Sequence, residues 1–271
     1  MVMKKPLIEL LGGDKYIIAG VHFLPLPGSP GYDRAGGMKK IVDRAREETR
    51  ILVENGVHGI LFANEADIPY LQCLGPETVA AFAAAVSDVM ADFSVPYGVN
   101  VLLDPVAGVG IANGTGASFV RGYLAGGYVT DMGIMDSRGP EALRLRSNIG
   151  AEHIHLLHNL VCAFGVPFVE RPHAEEAYGI QVHVGVDGFT ISGRAAGFAP
   201  DPAFFSKVRK AVPEMPIIAG TGVSKENVEQ FLKVSDGAIV VTCLRKDGKT
   251  LNPVDPRRVK EFMTVVKKLL K

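Results

Sequence analysis

The stretch Met215-Pro-Ile-Ile-Ala-Gly-Thr-Gly-Val223, followed by Asp236-Gly-Ala-Ile-Val-Val-Thr-Cys-Leu-Arg245, decides how this chain is read. Each half is a short apolar run, rich in β-branched residues, that stops at glycine or small polar residues. That is the pattern of a strand buried on both faces of a parallel sheet. Gly220-Thr221-Gly222 then leads into Ser224-Lys225-Glu226-Asn227, where Ser224 suits the N-cap of a following helix. Glycines at such a turn let backbone N–H groups converge on an anion with no Cβ in the way. In (β/α)8 barrels a phosphate commonly sits in the loops after strands 7 and 8, and this pair lies near the C-terminus. The alternative is that the glycines only shape tight turns between strand and helix.

Working outward, strand-like and helix-like segments alternate along the chain. Tyr16–His22 reads as a first strand, and residues 37–55 as an amphipathic helix closed by Gly56. Further strands are expected at 58–63, 97–102, 118–123, 152–157 and 188–192, with helices at 76–92, 105–114, 139–149, 173–182 and 202–212. The opening pair with helices at 225–234 and 256–270 completes the series, and residues 126–138 form an insertion. Alternating units of this length impose right-handed crossovers and a parallel sheet. About eight units in 271 residues favour a closed (β/α)8 TIM barrel, read as a single domain over 1–271. No GxGxxG follows the first strand, which removes the usual dinucleotide-binding alternative, and no cofactor is expected.

Composition narrows the function classes. Lys plus Arg and Asp plus Glu both count 29, so the basic excess of a nucleic-acid-binding protein is missing. No apolar run reaches the ~18 residues of a membrane span, and the early acidic residues Glu9 and Asp14 do not suit a signal peptide. Cys73, Cys162 and Cys243 lie far apart with no CxxC, which suits a reducing cytoplasm. The apolar stretch 158–172 is read as a subunit interface, so a homo-oligomer is expected, with a partner surface or a lid as alternatives.

The segments His22-Phe-Leu-Pro-Leu-Pro-Gly-Ser-Pro30, Gly98-Val-Asn-Val101, Ala117-Ser-Phe-Val-Arg121, Val129-Thr-Asp-Met-Gly133 and Asn252-Pro-Val-Asp-Pro256 occur in a particular order. Together they resemble the BtpA family, named for an accessory factor in photosystem I biogenesis. The resemblance covers nearly the whole chain and implies a barrel akin to the ribulose-phosphate-binding barrels. Against the family's usual pattern, a Glu-Asn after strand 2 is Ala63-Asn64, and an Arg-Asn-Asp after strand 3 is Leu103-Asp104-Pro105. An Arg-x-Asn after strand 4 is Arg121-Gly122-Tyr123, and an Asp-x-His-x-Lys-His on strand 5 begins at His153 and carries Leu157 in place of the lysine. Near strand 8, Gly-Thr-Ser-x-Lys is replaced by Val241-Thr242-Cys243-Leu244-Arg245. These losses of polar groups imply an altered substrate, or a member that has lost its chemistry.

Candidate proton carriers are His22, His155, Asp67 and Asp131; each has a structural alternative, His22 as a pin for the Pro25 loop and the aspartates as turn caps. Asn64, Asn100 and Arg121 are expected to orient a ligand at the barrel mouth, Arg121 alternatively pairing with Asp104 or Asp131. A phosphate is expected on Gly220, Thr221 and Gly222, with Ser192 and Gly193 and the neighbouring Arg194. The ligand so implied is a small phosphorylated sugar or nucleoside-like metabolite. Two further readings stay open: an assembly factor without turnover, and a metal-dependent hydrolase built on His153, His155 and His158.

Overall fold

A computed structural model of the protein describes residues 4–193 and 198–270. Its centre is a closed barrel of eight parallel strands. In barrel order these are β1 (Tyr16–His22), β2 (Gly59–Ala63), β3 (Tyr97–Asn100), β4 (Phe119–Gly122), β7 (His155–Asn159), β9 (Gly188–Ile191), β10 (Ile217–Ala219) and β11 (Gly237–Val240), and β11 closes on β1 through Tyr16–Gly237 to Ala19–Val240. Helices α2 (Gly37–Glu54), α3 (Pro76–Met90), α4 (Pro105–Thr115), α5 (Gly139–Asn148), α6 (His173–His183), α7 (Pro202–Ala211), α8 (Val228–Val234) and α9 (Pro256–Leu269) follow successive strands. Three of them start at Asp-Pro, where Asp104, Asp201 and Asp255 accept from the first-turn amides and proline takes the position that needs no N–H.

The period-2 alternation of the strands divides the core into two layers. Outward residues such as Ile17, Phe62, Val99, Leu156 and Ile217 pack against the helices. Inward residues Tyr16, Ile18, Leu61, Phe119, Leu157, Ile218 and Ile239 fill the barrel, and Leu7 and Leu11 of the segment around α1 (Leu7–Leu10) close its N-terminal end. Gly98 is required in this packing, because a Cβ there would run into the Phe119 ring and carbonyl. The polar ends of the strands therefore face one open mouth.

The expected insertion is a small antiparallel sheet beside that mouth. The hairpin β5 (Gly127–Thr130) and β6 (Gly133–Asp136) pairs with β8 (Gly165–Pro167), which comes from the apolar stretch read as a loop. Tyr128 and Met135 on its inner face pack with Leu103, Tyr123 and Cys162. On the outer face Val129 lies between Ile134 and Val166, and all three are exposed. Among the described residues, no helix is long and apolar enough to cross a membrane.

The fifth barrel strand starts at His155 rather than at residue 152. The helix after Gly222 starts at Val228 rather than at Lys225, with Asn227 at its N-cap position. Ser224 instead opens a turn, its N–H donating to Asn227 Oδ1 at 2.8 Å. Ser224 is not the cap, and the glycine turn does not abut a helix end; an anion there would meet loop amides.

Candidate active site at the barrel mouth

A cavity of about 180 Å3 opens at the mouth, lined by His22, Glu65, Asn100, Arg121, the 220–224 turn, Val241–Cys243 and Thr250. That is smaller than the roughly 300–1,000 Å3 of a drug-sized ligand site, and it suits a small metabolite rather than a dinucleotide. Val241 stands at its floor: a Cβ on Gly20 would come within 2.5 Å of Val241 Cγ2, so the valine packs where β1 has no side chain. It narrows the floor without filling the mouth.

Arg121, from the end of β4, dominates the electrostatics. Its Nε and Nη2 donate to Thr190 Oγ1 and Ser192 Oγ, each at 3.4 Å, and Thr190 in turn donates to Asn159 Oδ1 at 2.5 Å. Neither Asp104 nor Asp131 pairs with it, and among the described residues no carboxylate lies within ion-pair distance. Asp104 caps α4 and holds Arg138 at 3.1 Å, while Asp131 sits exposed at the β5–β6 turn. Burial pulls the Arg121 guanidinium below its ordinary value. A half-buried cation with two long bonds to hydroxyls, its desolvation only partly offset by the Glu65 charge, is held at a cost that a bound anion relieves.

The glycine turn lies beside it. A Cβ on Gly220 would meet Ser192 Oγ at 2.6 Å and sit 3.5 Å from Arg121 Nη2, so the turn lies against both the Ser192 hydroxyl and the guanidinium. Gly222 has φ +72°, and a Cβ there would collide with the Phe198–Ala199 main chain. Thr221 Oγ1 accepts from Gly193 N–H at 3.0 Å, tying the turn to the loop after β9. Arg194 lies outside the described residues.

His22 ends β1 in the same cavity, and its Nδ1 is buried with no hydrogen-bond partner among the described residues. Burial first, then the charges of Arg245 and Arg121, hold its pKa well below the ordinary value, so the ring is neutral near pH 7. Glu65, which sequence reasoning missed, also lines the cavity. Desolvation raises its pKa, only partly offset by Arg121 and Arg245. The signal was next to Asn64: the carboxylate missing at Ala63 reappears two positions on, at Glu65.

Several expected site residues stand elsewhere. Asn64 points out of the barrel, accepting from Leu102 N–H at 2.9 Å and donating to Asp67 at 3.2 Å. Asp67 accepts from Leu26 N–H at 2.7 Å, so it pins the Pro25-Leu-Pro-Gly loop and does not reach the cavity. His155 opens β7 at the opposite end of the barrel, where its Nε2–H donates to the Lys5 carbonyl at 2.8 Å. His158 faces outward, its Nδ1 accepting from Leu124 N–H at 3.0 Å and its ring edge-on to Phe189. His153 precedes the strand, half-buried. The three histidines therefore do not converge, and among the described residues no group of three or more His, Cys, Asp or Glu is placed to hold a metal ion. Cys243 lines the cavity, but burial pushes its thiol up to about 12, so it is not a ready nucleophile.

The departures from the family pattern have structural partners. Leu103 and Tyr123 both pack under the small sheet, so polar groups lost there became apolar support for it. Leu157 and Val241 belong to the apolar packing inside the barrel. Arg245 turns away from the mouth: it is fully buried, paired with Glu48 at 3.1 Å and donating to the Gly20 and Asn252 carbonyls. The Asn252-Pro-Val-Asp-Pro256 run is thus structural, receiving Arg245 at one end and capping α9 with Asp255 at the other.

Among solved structures, phosphoribosyl anthranilate isomerase from Thermus thermophilus superposes with a TM-score of 0.57 at 10% identity, covering 94% of this chain and 99% of that one. The likeness is one of fold. The sgc region protein SgcQ of Escherichia coli (strain K12) is 38% identical over 258 residues, covering 95% of this chain and 96% of the relative. The photosystem I biogenesis protein BtpA of Synechocystis sp. (strain ATCC 27184 / PCC 6803 / Kazusa) is 29% identical over 259 residues, covering 94% and 89%. Residues 13–268 match the BtpA family as a whole, and with its barrel, its mouth and its signature runs in place, the chain belongs to that family.

Proposed function

We propose that the mouth binds a small phosphorylated metabolite, a sugar phosphate or a nucleoside-like phosphate, in the cytoplasm. The phosphate lies against Arg121 and the Gly220–Gly222 turn, with Ser192 and Thr221 beside it, while Asn100 and His22 face the rest of the ligand. The observation that carries this reading is Arg121, a half-buried guanidinium with no carboxylate in ion-pair contact among the described residues, next to a turn that requires Gly222. Fold neighbours such as phosphoribosyl anthranilate isomerase act on phosphorylated compounds by their names, which supports the ligand class. Ligand binding to the folded state raises stability by about 2.7 kcal/mol when phosphate is present at ~100 times its Kd. Melting in millimolar inorganic phosphate or ribose 5-phosphate is therefore expected to rise for the wild type. Arg121→Met removes charge-assisted bonds of about 1.5–3 kcal/mol each and is expected to abolish the rise while melting no lower without ligand. A wild-type chain indifferent to both ligands contradicts the reading.

A second reading, a partner-binding role without turnover, draws on the outer face of the small sheet. Ile134, Val129 and Val166 form an exposed apolar row, continued by Phe168 and Val169. Phe164 packs inward on Tyr70 and Tyr123 and takes no part in it. The simplest occupant is a second copy of the chain. Val166→Ser combined with Phe168→Ser is expected to lower the mass measured by light scattering; an unchanged mass rules this face out as the subunit interface.

A further inference from the structure

We propose that Glu65 is the base of a cofactor-free proton transfer on a ketose phosphate held in the mouth, with His22 facing the carbonyl oxygen while Arg121 holds the phosphate. The inference rests on the phosphate site above and extends it to a reaction.

Glu65 is aimed by an anchored loop. Asn64 beside it is held by Leu102 and Asp67, and the Glu65 carbonyl accepts from Tyr70 Oη at 3.0 Å. Its own carboxylate has no hydrogen bond or ion pair among the described residues, although it lines the same cavity as Arg121, His22 and Asn100. Partly buried carboxylates left without a partner are costly, and they are concentrated where proton transfer is the task. The two titratable groups are pushed in opposite directions within one cavity. Desolvation raises the carboxyl, making it the stronger base, while burial and the two arginines keep the imidazole neutral and able to donate an N–H. An oxyanion that develops beside His22 is met by an imidazole N–H already fixed in place at the end of β1.

The step balances without another reagent. The Glu65 carboxylate takes a proton from the hydroxyl-bearing carbon next to the ketone. The C–H electron pair becomes the carbon–carbon double bond of an enediolate, and the carbonyl π pair moves onto oxygen, facing the His22 N–H. Glu65 then returns a proton to the former carbonyl carbon, while a proton passes between the two oxygens by way of His22. One carbon is oxidised and its neighbour reduced, and the product is the isomeric aldose phosphate.

The test is proton exchange in D2O, followed by proton NMR on dihydroxyacetone phosphate, ribulose 5-phosphate and fructose 6-phosphate. Stabilisation by inorganic phosphate is measured alongside as the control for the binding site and for folding. The wild type is expected to exchange a C1 proton of at least one of the three. Glu65→Gln is expected to keep the phosphate-induced rise in melting temperature and to exchange about 10²–10⁴-fold more slowly. Glu65→Asp, with the carboxylate set back by one carbon, is expected to fall between them. A wild type that is stabilised by phosphate but exchanges none of the three ketose phosphates overturns the inference and leaves the phosphate site standing. Exchange by Glu65→Gln at the wild-type rate also overturns it. Absence of any phosphate stabilisation removes the site and the reaction together.

Discussion

At the scale of single residues, the chemistry follows from which way a side chain points, and strand parity decides that. Read from sequence, His153 and His155 face one way on a strand, with His158 just past its end. With the strand running from His155 to Asn159, however, residues 155, 157 and 159 face the barrel and 158 faces the helices. An apolar run shows that a strand exists but not the residue at which it begins, so parity was not legible in advance. His158 then has a testable consequence. Burial pushes its pKa down to about 3 from an ordinary 6.5, so the folded chain holds it neutral while the unfolded chain takes up a proton. Its stabilisation is complete above about pH 6.5 and is lost progressively as pH falls from there toward 3. His22 acts with the same sign. Urea unfolding measured between pH 7 and 4 is expected to show a shallower loss of stability in His158→Gln. The difference should reach about 1.4 kcal/mol per pH unit at most, since one proton is involved. Equal slopes in the two proteins would show that the imidazole titrates freely in the fold.

At the scale of elements, the helix starts were readable because aspartate and proline announce them, at Asp104, Asp201 and Asp255. The small sheet was not. Its third strand, β8, lies 35 residues after the hairpin's Thr130, pairing as Thr130–Gly165, and no local pattern encodes such a partner. The sheet also explains why Leu103 and Tyr123 stand where the family carries polar residues: both are its underside. Arg245 makes a similar point for the Asn252–Pro256 run. Its contacts make it a buried bolt between β1, α2 and that run. Arg245→Ala leaves the buried Glu48 carboxylate with Arg44 as its remaining ion-pair partner, at 2.8 Å, and is expected to destabilise by about 3 kcal/mol. Pairing Arg245→Met with Glu48→Leu is expected to recover much of that loss, read from denaturant midpoints. If the double variant is as unstable as Arg245→Ala, the charge pair is not what holds the run in place.

At the scale of the whole molecule, the barrel was legible because eight alternating units leave few topologies, and closure brings every strand's polar end to one face. What closure does to each end was not legible. It gathers His22, Glu65, Asn100 and Arg121 from β1 to β4 opposite the glycine turn from β10, and it excludes Asn64, Asp67, Asp131 and His155 by parity, anchoring or distance. The residues that remain form a cavity in which the Arg121 guanidinium, with Glu65 lining the same space, is placed to receive an anion. Diffraction from crystals grown in millimolar phosphate tests this most directly. A tetrahedral oxyanion is expected within hydrogen-bonding distance of the Arg121 guanidinium and the Gly220–Gly222 turn. Clear density for that turn and for Arg121 with no anion between them, at phosphate concentrations that saturate binding in solution, would contradict the account.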